Sequence, residues 1–99
     1  MLPEEDKVKY QKHYDNAVLS RHANDLLRVL QQTAYRIDKD KVGGEKAFNE
    51  VATMYKDLAY KFRETIDKHN GNLDDSVKLI SSISGPAIQK SEELLKEYK

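Results

Sequence analysis

The sequence predicts an all-α fold, an antiparallel bundle of three or four helices, and three observations carry the prediction. Apolar residues recur at spacings of three and four through most of the chain. Strict alternation over a strand length appears nowhere. The strong breakers after Pro3 are few and well spaced: Gly43-Gly44, Asn70-Gly71-Asn72 and Gly85-Pro86. They divide the chain into stretches 3–41, 45–69, 73–84 and 86–98. A length of 99 residues fits one domain, residues 1–99.

The first stretch opens with Pro3 at a plausible first helical position. Glu4, Glu5 and Asp6 follow, where the helix dipole favours negative charge. Leu19, Ala23, Leu26, Leu30, Ala34 and Ile37 then form one helical face. Tyr10, Tyr14, Ala17 and Val18 fall on another. One helix from 3 to 41 would be roughly 58 Å long, so the change of face near Ser20 favours a bend or break there over a continuous helix.

In the second stretch Phe48, Val51, Tyr55, Leu58, Phe62 and Ile66 make a clear helical stripe. Asp57–Lys61 and Glu64–Lys68 stand as favourable i, i+4 pairs. His69 and Asn70 end the helix, and Gly71 suits a left-handed cap. In the third, Asn72, Asp74 and Asp75 cap a helix bearing Val77, Ile80 and Ile83. Gly85-Pro86 stops or kinks it, and Pro86 then fits the first turn of a last helix with Ile88, Leu94, Leu95 and Tyr98. Glu92–Lys96 is a further favourable pair. The short connections suggest antiparallel neighbours.

Composition narrows the function. Lysine and arginine number 17 and aspartate and glutamate 17, a formal net charge of zero. Basic residues are spread evenly, so a nucleic-acid interface is poorly supported. Cysteine is absent, which rules out disulfides and thiolate metal sites and fits a reducing cytoplasm. No apolar run reaches the ~18–20 residues of a membrane span, and no basic, apolar leader opens the chain. A cytoplasmic protein is expected.

Sites for chemistry are scarce. His22 and Asp25 have a spacing that can orient an imidazole, but nothing completes a catalytic set around them. His13, His22 and His69 read as partly exposed helix histidines. The segment Asp38-Lys39-Asp40-Lys41-Val42-Gly43 puts acids at the first and third positions of a calcium loop. Asn49 stands where the bidentate glutamate should be, so a charged connector is the better reading. Gly43-Gly44-Glu45-Lys46 lacks the spacing of a phosphate loop. No cofactor, metal or small-molecule substrate is expected.

The aromatic residues are more suggestive. Phe48, Tyr55 and Phe62 belong to the core stripe. Tyr10, Tyr14 and Tyr60 lie off the core faces of their helices, where a tyrosine ring suits contact with another protein. The sequence therefore points to a non-enzymatic protein-interaction module, an adaptor or binding subunit, with those three tyrosines as anchors. The occupant would be another protein or a second copy, the latter giving a homodimer.

Around its midpoint the chain also resembles the WXG100 family of small secreted helical hairpins. Val42-Gly43-Gly44 takes the place of the family's Trp-x-Gly turn, followed by Ala47, Phe48 and Val51 on the next helix. The resemblance implies a two-helix hairpin exported as a secretion partner. It departs from the family in lacking the tryptophan. The Tyr60–Glu64 pair has the spacing of the export signal but lies within a helix, and Asn70-Gly71-Asn72 interrupts the second helix. Small helical bacteriocin immunity proteins, which bind toxins, share the size and class.

Overall fold

The computed structural model describes residues 4–99, with side chains from residue 6 onward. Pro3, expected to open the first helix, lies outside the described residues, as do the side chains of Glu4 and Glu5. Three helices follow one another: α1 (Glu4–Arg36), α2 (Gly44–Asp67) and α3 (Leu73–Glu97). Each packs against the other two. Among the described residues no helix is long and apolar enough to cross a membrane.

The first helix corrects one expectation. It runs through Ser20 without a break. No glycine or proline lies between Glu4 and Arg36 to interrupt its hydrogen bonds. The change of face has a different cause. Leu19, Ala23, Leu27, Leu30, Ala34 and Ile37 are buried against the other helices, with Leu26 half-buried beside them. Residues 6–14 are all exposed. With 33 residues to the 24 of α2, α1 is about 13 Å longer at 1.5 Å per residue. Its N-terminal turns project beyond its partners as an arm, and the molecule measures 62 × 17 × 16 Å.

The stripe of α2 is buried as expected at Val51, Leu58 and Phe62, with Ala47 beside them and Phe48, Tyr55 and Ile66 partly covered. Of the three anticipated i, i+4 ion pairs, only Glu64–Lys68 closes among the described residues, at 2.7 Å. Both partners are exposed, so it adds little to stability.

The last two stretches form one helix. α3 passes through Pro86, so Gly85-Pro86, expected to stop or kink the helix, does not stop it. Two local features permit this. Gly85 has no Cβ to collide with the Pro86 ring, the contact that normally drives the preceding residue out of helical geometry. The carbonyl left without a proline N–H donor belongs to Ser82, which is exposed, as are Gly85 and Pro86. On the inner side Ser84 and Ser91 are buried, and their hydroxyls donate to the Ser81 and Ile88 carbonyls at 2.9 and 2.7 Å. Small side chains, with their polar atoms satisfied locally, let α3 approach its neighbours closely.

Both ends of the bundle are tied. Asn72 Oδ1 accepts the Asp74 N–H at 2.8 Å and caps α3, as its residue type predicts. At the opposite end the Asp38 N–H donates to the Tyr98 carbonyl at 2.7 Å, fastening the C-terminus to the α1–α2 connector. Asp38 Oδ1 accepts the Asp40 N–H at 3.0 Å, so this acid serves the turn itself. Lys39 Nζ lies 4.2 Å from the centre of the Phe48 ring. Gly44 is buried with its Cα against the Asp38 carbonyl, where a methyl group would meet backbone.

Two substitutions should therefore move stability in opposite directions. Gly44→Ala forces the connector apart and should cost about 1–3 kcal/mol. Pro86→Ala restores a helical hydrogen bond at an exposed site and should add about 1–3 kcal/mol. Urea denaturation followed by circular dichroism measures both. A destabilised Pro86→Ala variant would mean that the proline supplies packing that outweighs the missing bond.

Candidate functional site

The described residues offer two places where side chains converge: a buried polar relay at the α2–α3 end, and an open seam between α1 and α2.

The relay grows from three positions that extend the apolar stripes by one step. Asp15 lies four residues before Leu19 on α1, His69 three after Ile66 and just past the end of α2, and Ser76 four before Ile80 on α3. The helical repeat that buries those apolar residues carries the three polar ones into the same interior. His69 Nε2 donates to Asp15 Oδ2 at 2.9 Å, and His69 Nδ1 lies 2.6 Å from Ser76 Oγ. Gln11 Nε2 donates to the other carboxylate oxygen at 2.9 Å. The His69 and Asp15 side chains are only 3% and 8% exposed. This corrects the reading of His69 as a partly exposed helix histidine. It is a buried crosslink between the α2–α3 connector and α1.

The hydrogen bonds from His69 and Gln11 hold the Asp15 carboxyl below its ordinary range. Because the carboxylate can only accept, Nε2 of His69 carries a proton. Ser76 Oγ can then donate to a bare Nδ1 or accept from a protonated one, so the relay stays satisfied in either state of the ring.

Serine, histidine and aspartate in series have the connectivity of an activated nucleophile. Here the surroundings favour a structural role. The imidazole is buried. Asp74 and Asp75 stand just before Ser76 in the first turn of α3, and the Asp74 N–H is already bonded to Asn72. The backbone donors that could steady a developing oxyanion therefore sit among carboxylates. The neighbouring hollow, lined by Val8, Gln11, Lys12, Asp15 and residues 67–71, does not include Ser76.

His22 and Asp25 do not come together. His22 Nε2 lies 2.9 Å from Ser81 Oγ on α3, and Asp25 is exposed. Among the described residues no three His, Asp or Glu side chains converge as metal ligands would.

The seam between α1 and α2 opens on the side away from α3. Its floor is apolar: Ala23, Leu27, Leu30 and Ala34 from α1, and Val51, Ala59 and Phe62 from α2. Two hollows follow it, of about 540 Å³ near Ser20–Leu27 and about 260 Å³ near Leu30–Tyr35. Tyr35, Phe48 and Tyr55 line the second, and Tyr60 lines the first.

The three tyrosines singled out in the sequence are exposed, Tyr10 at 69%, Tyr14 at 55% and Tyr60 at 70%. They do not form one patch. Tyr10 and Tyr14 ride on the projecting arm, about 180° around α1 from its buried face. Tyr60 borders the seam at the level of Asn24 and Leu27, about 15–25 Å farther along the axis. Tyr35, 71% exposed, shares the seam and was missed by sequence reasoning. Its place next to Ala34 on the core stripe was the available signal.

No protein-family model, curated protein or solved structure matches the chain.

The relay predicts a specific response to acid. The folded carboxyl of Asp15 is depressed, so its contribution to stability is complete above the ordinary carboxylate pKa of 3.8 and is lost as the pH falls through the lower folded value. Asp15→Asn should lower the melting temperature at pH 7, and the gap from the parent chain should close toward pH 2. Ser76→Ala strands one imidazole nitrogen and should cost about 1–3 kcal/mol at pH 7. Thermal melts across pH 2–7 measure both; parallel curves for Asp15→Asn and the parent would refute the carboxylate's role.

Proposed function

We propose that the protein is a non-enzymatic interaction module that engages another protein through the outer α1–α2 seam. One observation carries the reading: an apolar floor runs between two helices and is bordered by tyrosines that the chain leaves largely uncovered. Exposed aromatic rings beside an apolar trough are the usual anchors of a protein interface, since each buries a large area at small entropic cost. The other two seams are less suited to this. That between α2 and α3 has Met54 in its lining but no tyrosine, and it is edged by Lys46, Asn49, Glu50, Thr53 and Lys90. That between α1 and α3 shares Tyr35 at its edge and holds Val29 and Leu95, but Gln32, Thr33, Arg36 and Glu92 line it as well and no second tyrosine does. Tyr10 and Tyr14, on the arm, are secondary contacts in this reading, and the cytoplasmic setting expected from composition goes with it.

The hairpin-type export reading has less support, because α3 covers one side of the α1–α2 pair and shares its core.

A photo-crosslinking amino acid placed at position 60 or 35 in the native host should give a discrete protein adduct. The same group at position 79, an exposed site on α3, should not. Adducts of equal yield at all three sites, or none at 60 and 35, would reject the seam as the interface.

A further inference from the structure

Resting on that reading, we infer that the α1–α2 seam receives an amphipathic helix with an acidic flank from a partner protein, as a fourth helix laid along the bundle. Three features of the seam select this occupant.

The first is shape. The trough is bounded by two antiparallel helices, and a rod lying between them completes a four-helix arrangement. An extended strand would find no unpaired sheet edge there. The second is length. The lining residues run from Ser20 to Tyr35 on α1 and from Phe48 to Asp67 on α2. At 1.5 Å per residue the α1 side alone is about 23 Å long, room for roughly four turns of helix. Apolar residues on the incoming helix at i, i+3, i+4 and i+7 would meet the small Ala23, Ala34, Ala52 and Ala59 side chains, which leave hollows between the larger ones.

The third is charge. Lys56 and Arg63 stand on the α2 side, on either flank of Tyr60. The α1 side offers Ser20, Asn24, Gln31 and Tyr35, all uncharged. The one acid in the lining, Asp67, is at the far end of the seam near the α2–α3 turn. Through its middle the seam is therefore basic along one wall and neutral along the other. A helix with glutamates on one flank can place them by Lys56 and Arg63 while its apolar stripe lies on the floor. A lysine-flanked helix would meet repulsion at both.

Two synthetic peptides test this against the full chain. Each is an 18-residue helix former with the same leucine stripe, one flanked by glutamates and the other by lysines at the same positions. Binding is measured by calorimetry, and the site is mapped by amide chemical-shift changes. The acidic peptide should bind about ten-fold more tightly than the basic one, and the preference should shrink as salt is raised. Its shifts should centre on Ala52, Ala59 and Tyr60. The double variant Lys56→Glu, Arg63→Glu should reverse the preference while leaving the circular-dichroism spectrum unchanged, since both side chains are exposed.

Equal binding of both peptides at the seam would overturn the acidic-flank assignment and leave the interaction reading in place. Shifts confined to another seam, or no binding of either peptide, would overturn the helix-in-seam proposal. The crosslinks from positions 60 and 35 would then decide the broader reading independently.

Discussion

One stripe on α1 has to satisfy two neighbours at once. Leu19, Ala23, Leu27, Leu30 and Ala34 are the buried apolar residues of the longest helix, with Ile37 just past its end, and both α2 and α3 pack against that helix. With three helices of this length, each is covered on the side facing the other two and open on the rest. That constraint fixes where the core lies and where apolar surface is left over. Deleting a buried leucine from such a stripe removes contacts to two elements, and core truncations of this kind typically cost about 2–5 kcal/mol.

Apolar packing alone leaves axial sliding weakly resisted, because a helical stripe looks similar after every three or four residues. The ends supply what the stripe lacks. At one end His69 bonds Asp15 and Ser76, joining all three elements at a single level. At the other, Asp38 bonds the Tyr98 carbonyl while Gly44 packs against the Asp38 backbone. A slide of one turn would leave a buried carboxylate and imidazole without partners, a far larger penalty than the bonds are worth when made. The relay is in this sense a register device, and it also defines the level beyond which α1 becomes an arm.

The proposed docking seam follows from the same geometry. α3 covers one side of the α1–α2 pair, and the opposite side keeps its alanine-rich floor and its tyrosines. Covering it would require a fourth helix that the described chain does not supply. The basic wall formed by Lys56 and Arg63 would then act on specificity more than on affinity, because exposed charges contribute modestly and are screened by salt.

The sequence by itself determined the helical class, the stripe of α2, the cap at Asn72 and the exposure of Tyr10, Tyr14 and Tyr60. All of these depend on spacing within about two turns or on the conformational habits of single residues. The continuity of α1 through Ser20 and of α3 through Pro86 was decided by tertiary structure. In the first case the reason is that the face change marks where partners end. In the second, packing on the inner side outweighs one missing hydrogen bond on the outer. The relay lay between these cases. Asp15, His69 and Ser76 each sit one step beyond an apolar stripe, so a signal for their burial was legible, although His69 reads from the sequence as a partly exposed helix histidine. Their partnership was not, because 54 positions separate Asp15 from His69, and only the stacking of the helices brings such residues within bonding distance.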